Sequence, residues 1–185
     1  MIEDTIRAIL MTFVVAFWIM LPAYVANASA VPCGGGIPID FGKCAKDGCR
    51  YLGDGKTWRG CIGGTCIGVL FGLLQMDFVQ TFHWSFLPPH NLITITVLAS
   101  GALLGDVIKS FFKRRIGKDR GEKWDLADMY DLVVVSFVLL AVFASSWMMA
   151  YISIWIFIAI LILTPFLHRG ANIIGYLIGI KHVPW

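Results

Sequence analysis

The sequence predicts an all-α integral membrane protein with five transmembrane helices, on three observations. Hydrophobic residues make up 58% of the 185-residue chain, and the mean hydropathy of +0.76 lies well above that of soluble proteins. Several uncharged stretches approach or exceed the ~20 residues that cross a bilayer. Lysine and arginine are distributed very unequally over the segments between these stretches.

Four apolar segments supply the five predicted spans. Residues 8–31 form the first, residues 60–76 a short second, and the third begins at Asn91. The uncharged stretch 132–167 is 36 residues long. At ~1.5 Å per residue it is too long for one crossing, so it predicts two helices that turn near residues 145–151. Pro165 and Gly170 are expected to bend or end the fifth helix, which leaves 172–180 as a separate helix on the bundle or in the interface.

The basic residues set the predicted orientation. The loop after span one, the loop after span three and the C-terminus share one side, and they hold 5, 7 and 2 Lys/Arg. The other side holds only Arg7. The positive-inside rule therefore places the basic side in the cytoplasm and the N-terminus outside the cell membrane.

A cleaved signal peptide is the alternative for the first span. Residues 26–30, Ala-Asn-Ala-Ser-Ala, resemble a signal-peptidase site after an apolar run. The preceding MIEDTIR is not basic, however, and cleavage would place the most charged loop outside the cell. The charge distribution favours a retained first span.

The cysteines are five, an odd number, and their spacing matches no zinc pattern. They are Cys33, Cys44, Cys49, Cys61 and Cys66. Because the first three fall in a predicted cytoplasmic loop, free thiols are expected, with a bridge within the loop as the alternative.

The second span carries a glycine at every fourth position. Gly60, Gly64, Gly68 and Gly72 line one helical face, and Gly101 and Gly105 repeat the spacing in span three. Small residues at this spacing let helices pack backbone to backbone in lipid. The alternative is a groove kept open for an acyl or isoprenoid chain.

Residues 105–131 concentrate 13 of the 27 charged residues of the chain. Four polar residues are spaced to share one face of a helix that continues beyond span three: Asp106, Lys109, Ser110 and Lys113. Gly117 is expected to end this helix. Asp128 and Asp131 lie three apart where span four begins. Two cytoplasmic helix ends therefore offer three carboxylates that are expected to converge.

Such a cluster suits Mg²⁺, which takes oxygen ligands and usually binds through one or two carboxylates together with substrate phosphates. Neighbouring Lys and Arg would hold the remaining phosphate charge. Positive-inside topology explains the basic residues equally well, and Asp128 is also a possible N-cap with Asp131 in the first turn. From composition and spacing alone, the chain is a membrane protein with a cytoplasmic phosphate or nucleotide site.

The order of these residues resembles a family motif. The run Gly105-Asp106-x-x-x-Ser110-x-x-Lys113-Arg114-x-x-Gly117-Lys118-Asp119-x-Gly121, followed by Asp128-x-x-Asp131, is similar to the GDxxxSxxKRxxGxKDxG and LDRxDS pattern of CDP-diacylglycerol synthases. The chain is one residue shorter after Gly117 and reads LADMYD in the second part. PIDFGK, GDGKTWRG, GDVIKSFFKRRIGKDRG and the terminal VPW resemble the smaller archaeal family, the CDP-archaeol synthases.

That resemblance implies one membrane-embedded cytidylyltransferase domain over 1–185, with functional cytoplasmic loops at about 32–59 and 109–128. It implies CMP transfer from CTP to the phosphate of 2,3-bis-O-(geranylgeranyl)-sn-glycerol 1-phosphate, with Mg²⁺ as cofactor and pyrophosphate as the other product. The partners would be CTP, the isoprenoid ether-lipid phosphate and the bilayer, without nucleic acid. The lipid phosphate is already ionised, so positioning and charge neutralisation would carry catalysis.

The resemblance also implies site residues. The catalytic candidates are Asp106, Lys113, Arg114 and Asp128, and the metal ligands Asp106, Asp128 and Asp131. The candidates for CTP or phosphate binding are Lys56, Thr57, Trp58, Arg59, Lys109, Ser110, Arg115 and Arg120. Trp58 would stack on cytosine or act as an interfacial anchor. Asp40 and Asp54 are further candidates, expected in an exposed part of the first loop.

Rival functions fit the sequence less well. A CDP-alcohol phosphotransferase needs DGxxAR and a later GxxxDxxxD, and neither occurs. A transporter should place ionisable groups near mid-membrane, whereas here the charges lie at the predicted span ends, with Asn27 and Gln75 the main polar exceptions. Another lipid-phosphate enzyme is the remaining alternative.

Overall fold

The computed structural model describes residues 1–118 and 122–180, and apart from two isolated β-bridges the regular structure in this part of the chain is helical. The helices are α1 (Ile2–Ser29), α2 (Trp58–Phe82), α3 (Leu92–Arg115), α4 (Asp125–Phe143), α5 (Ser145–Tyr151) and α6 (Ile154–Leu177). All of them except α5 are long and apolar enough to cross a membrane. The predicted fold class and the five spans are confirmed, and α5 occupies the residues where the turn between the last two spans was expected.

The last helix extends further than expected. Helix α6 continues through Pro165 and Gly170 to Leu177, so the prediction of a separate helix over 172–180 is wrong. A proline interrupts only the local backbone hydrogen bonding, and an unbroken helix keeps the remaining polar groups of an apolar segment satisfied. Residues 181–185, with Lys181 and the VPW motif, lie outside the described residues.

The core lies where α1, α3, α4 and α6 meet. Ile19 and Met20 of α1 are fully buried there with Leu98, Leu140 and Ile160. Because α1 contributes its centre to this core and packs along α2, α3 and α6, it is an integral helix of the bundle.

The glycines of α2 serve helix packing. A Cβ atom added at Gly64 would lie 3.0 Å from Leu103 of α3, and one added at Gly68 2.6 Å from the Pro22 carbonyl oxygen of α1. Gly60 and Gly72 are crowded in the same way. The packing interpretation of the four-residue spacing is confirmed, and no chain groove runs along this face of α2.

The two ends of the bundle differ in chemistry. Loop one (residues 30–57) and the α3–α4 connection form the charged end. At the opposite end, Trp18 and Trp147 donate to the carbonyl oxygens of Pro88 (3.1 Å) and Pro89 (2.7 Å). The His90 ring stacks on Trp147 there, and burial lowers the pKa of His90 to about 4, so its imidazole is neutral at physiological pH.

Candidate active site

Three carboxylates meet at the charged end around one ammonium group. Lys109 Nζ lies 3.1 Å from Asp106 Oδ1, 3.3 Å from Asp128 Oδ1 and 2.9 Å from Asp131 Oδ2. Lys113 Nζ lies 3.2 Å from Asp128 Oδ2. The convergence that the spacing predicts is therefore present, and it is organised by lysines that extend from α3 towards α4.

Close approach of α3 to α4 produces this arrangement. Gly105 lies so close to α4 that an added Cβ atom would be 2.7 Å from the Asp131 carbonyl carbon. Asp128 lies in the first turn of α4 and accepts from the Trp124 backbone N–H at 2.7 Å. The alternative of Asp128 as N-cap is wrong, because α4 begins at Asp125 and Trp124 occupies the cap position.

Loop one adds a further cation to the cluster. Lys56 Nζ pairs with Asp106 Oδ2, on the carboxylate whose other oxygen faces Lys109. Both side chains are mostly buried, at 24% and 20% exposed. Asp106 thus joins a loop residue to α3, and the cluster combines three carboxylates with the ammonium groups of Lys56, Lys109 and Lys113.

Several predicted phosphate ligands make other contacts. The Ser110 hydroxyl donates to the Asp106 carbonyl oxygen within α3 at 2.8 Å. Arg114 donates through Nε to the Leu52 carbonyl oxygen (3.3 Å) and through Nη1 to that of Lys118 (2.7 Å). Its Nη2 has no hydrogen-bond partner within the described residues. Arg114 also lines a cavity of about 260 Å³ between loop one and the end of α3, formed by Cys49, Arg50, Gly53, Asp54, Arg114, Gly117 and Lys118.

The start of α2 holds three more predicted residues. Thr57 is the buried N-cap, and its hydroxyl accepts from the Gly60 N–H at 3.1 Å, which is a structural role. Trp58 and Arg59 are exposed on the first turn. Arg120 lies outside the described residues, and all five cysteines are free thiols as expected.

Asp40 organises loop one from its interior. Its carboxylate accepts five hydrogen bonds, from Arg50 Nε and Nη2 and from the backbone N–H groups of Gly42, Leu52 and Gly53, at 2.7–3.1 Å. The prediction of an exposed Asp40 is wrong, since its side chain is 1% exposed, whereas that of Asp54 is 68% exposed. The Arg50 guanidinium and the backbone donors hold the pKa of Asp40 well below its ordinary value of 3.8.

We expect Asp40→Asn to disorder loop one and reduce turnover roughly tenfold, because an amide leaves Arg50 with only the exposed Asp54 as a carboxylate partner and faces an N–H donor with its own. Since folding lowers the pKa of Asp40, its contribution to stability is complete above about pH 4. That contribution is lost only as the pH falls towards the pKa of Asp40 in the folded protein. Limited proteolysis between pH 5 and 8 measures the order of loop one, and the loop of the variant should be cleaved faster than that of the wild type. Unchanged cleavage in the variant would contradict it, and Asp77→Asn, at an exposed carboxylate on α2, is the control.

The donor set suits a hard divalent cation, because three carboxylates from two helices supply only oxygen ligands. In the ligand-free chain, ammonium groups balance their charge. No group of three His, Cys, Asp or Glu side chains among the described residues is already spaced to ligate a metal. A bound cation would therefore take the place of lysine contacts on the carboxylates.

Known proteins are similar to this chain in sequence and in fold. A family model described as CarS-like, CDP-archaeol synthase, matches residues 6–185. The chain belongs to the CDP-archaeol synthase family. The CDP-archaeol synthases of Methanocorpusculum labreanum and Methanoculleus marisnigri are 56% and 54% identical to it, over 90% of this chain and 100% of each relative.

A solved structure supports the same assignment. It is described as "Structural insight into an intramembrane enzyme for archaeal membrane lipids biosynthesis", and it is 32% identical with a TM-score of 0.68. The match covers 85% of this chain and 92% of the other. The chain is thus a multi-pass membrane enzyme of the CDP-archaeol synthase family, and nucleotidyl transfer of this kind commonly involves a divalent metal.

Proposed function

We propose that the charged end of this chain transfers CMP from CTP to the phosphate of 2,3-bis-O-(geranylgeranyl)-sn-glycerol 1-phosphate. A lipid phosphate oxygen attacks the α-phosphorus of CTP, and the bond from that phosphorus to the β-phosphate oxygen breaks. The products are the CDP-activated ether lipid and pyrophosphate. Family membership supports the reaction, and the cluster at the charged end supports the location.

The observation that carries the location is the arrangement of Asp106, Asp128 and Asp131 around Lys109 with Lys56 and Lys113 alongside. It lies at the ends of α3 and α4, where a membrane-embedded lipid presents its head group to water. Both reactants are negatively charged, so the reaction requires cations that neutralise this charge. It requires no general base, because the lipid phosphate is already ionised.

The residues divide by the charge that they hold. We assign Lys56 and Lys113 to the reacting phosphates, since each bonds a carboxylate through one edge of its ammonium group and has further N–H donors. Arg114, which lines the cavity of loop one, would hold outer phosphates of CTP. Lys109, which contacts all three carboxylates, neutralises part of their charge.

Asp106, Asp128 and Asp131 are the residues that would hold Mg²⁺. When bound, the ion would supply neutralisation of phosphate charge and polarisation of the phosphorus–oxygen bonds. The lysines hold the three carboxylates near one another, and a bound cation would replace some of these lysine contacts.

The charged end would face the cytoplasm, where CTP is available. The Lys/Arg distribution supports this orientation and places the N-terminus outside. Cysteine accessibility to a membrane-impermeant reagent in intact cells tests it. Exposed Cys44 and Cys49 should be unlabelled from outside, and labelling of them would reverse the orientation.

The decisive experiment is turnover in detergent with labelled CTP, Mg²⁺ and the unsaturated archaeal ether-lipid phosphate. We expect CDP-lipid formation that EDTA removes and that ATP does not replace. Absence of product from folded, lipid-accessible enzyme would contradict the proposed reaction. Product that persists in EDTA would contradict the metal alone.

A further inference from the structure

Both terminal nitrogens of the Arg115 guanidinium bind loop one. Its Nη1 donates to both carboxylate oxygens of Asp47, at 3.0 and 2.8 Å, and its Nη2 donates to the carbonyl oxygens of Cys49 (3.1 Å) and Arg50 (2.7 Å). The buried Nε has no hydrogen-bond partner among the described residues. A phosphate bound at Arg115 would therefore have to compete with four loop-one acceptors for these two nitrogens.

Two aromatic rings lie near the same guanidinium. Its central carbon lies 5.7 Å from the ring centroid of Tyr51, on loop one, and 5.4 Å from that of Phe111, on α3. The two rings are stacked, with centroids 6.4 Å apart and planes at 10°. A planar cation held bidentately and against two rings is a geometry that arginine provides and lysine does not.

A continuous set of contacts leads from this point back to the carboxylate cluster. Arg50, whose carbonyl oxygen Arg115 binds, places its side chain on Asp40. Asp40 accepts from the Gly53 N–H at 3.0 Å, and the Lys56 N–H donates to the Gly53 carbonyl oxygen at 3.2 Å. Lys56 then pairs with Asp106.

Loop one is thus attached to one helix at three points. Arg115 and Asp106 are nine positions apart on α3, which corresponds to ~13 Å along the axis. Between them, Arg114 holds the Leu52 carbonyl oxygen. The attachment at Arg115 fixes where loop one lies along α3, and this in turn fixes where Lys56 reaches the cluster.

We propose that Arg115 is a positioning residue for the cytidylyl transfer, which acts through Asp47 and the 49–50 backbone to hold Lys56 at Asp106. The inference rests on the proposed role of Lys56 at the reacting phosphates. It replaces the sequence-based expectation that Arg115 itself binds phosphate.

Asp47→Asn separates the two roles of Arg115, because it leaves the arginine in place and removes only its carboxylate partner. If Arg115 positions loop one, kcat/KM for CTP falls roughly tenfold to a hundredfold. If Arg115 is a phosphate ligand, release from Asp47 leaves kcat/KM unchanged or raises it, and the proposal is overturned. Asp4→Asn, which removes an ion pair of the same 2.8 Å length at the N-terminus of α1, is the matched control.

Two further variants distinguish positioning from general damage. Asp47→Glu keeps the carboxylate, so its kcat/KM should be close to that of the wild type. If substitution at position 47 merely unfolded loop one, the Glu variant would be as impaired as the Asn variant. In a Lys56→Met background, Asp47→Asn should cost little more, because the residue that it positions is already gone. Independent, multiplicative losses would overturn the proposal.

Failure of the proposed function gives a different result. A fully active Lys56→Met variant would contradict the proposed role of Lys56. If Asp47→Asn still lowered kcat/KM in that variant, Asp47 would act on the reaction through a residue other than Lys56. If Lys56→Met is impaired but Asp47→Asn is fully active, the role of Lys56 stands and the positioning role of Arg115 is overturned.

Discussion

Asp106→Asn is expected to lower kcat roughly a hundredfold or more while the protein inserts and folds normally. Asp106 bonds Lys56 of loop one through one carboxylate oxygen and Lys109 of α3 through the other. Asparagine has the same shape but lacks the charge, and its amide group would direct N–H donors at an ammonium group. The substitution therefore removes a proposed metal ligand and the α3 partner of Lys56 together.

The measurement is CDP-lipid formation by purified enzyme at saturating CTP and lipid phosphate, with size-exclusion chromatography as the check on folding. Asp77→Asn, an exposed carboxylate near the opposite end of α2, is the control and should be fully active. Normal turnover of the Asp106 variant would refute the metal role and the location of the site together.

The convergence of carboxylates was predictable because helices impose it. Asp106 lies near the end of α3, and Asp128 and Asp131 lie near the start of α4. A short connection makes these two helices antiparallel neighbours, so their adjoining ends must meet. The offsets of Asp106, Lys109 and Lys113 then place all three side chains on one face, which the ion pairs confirm.

The structure of loop one was not predictable, because nothing periodic determines it. Its conformation depends on Asp40, which binds residues up to 13 positions away and supports Phe41 in a left-handed conformation at φ 50°. Asp47 gave no signal as an isolated acidic residue in a glycine-rich loop. The contacts of Arg115 with loop one were equally hidden, because a basic residue in a charged run looks the same whether it binds phosphate or loop backbone.

Gly105→Ala is expected to reduce kcat roughly a hundredfold, the cost of misplacing reacting groups by about 1 Å. The added Cβ atom would lie 2.7 Å from the Asp131 carbonyl carbon and 3.2 Å from the Leu132 nitrogen. These are backbone atoms of α4, so no side-chain rotation relieves the clash and the helices must separate. Asp131 moves away from Lys109 with the backbone that carries it. Overpacking of this kind also costs roughly 1–3 kcal/mol of stability.

Two other glycines separate the effect on the site from the effect on packing. An added Cβ at Gly101 would lie 2.7 Å from the Ser136 Cα atom in the same α3–α4 contact, one turn further from the carboxylates. Gly101→Ala should therefore lower the thermal midpoint as much as Gly105→Ala but reduce kcat less. Gly170→Ala meets no atom within 4 Å and should change neither quantity. Equal losses of kcat at 101 and 105 would mean that the α3–α4 contact supports the fold in general and does not set the spacing of the carboxylates.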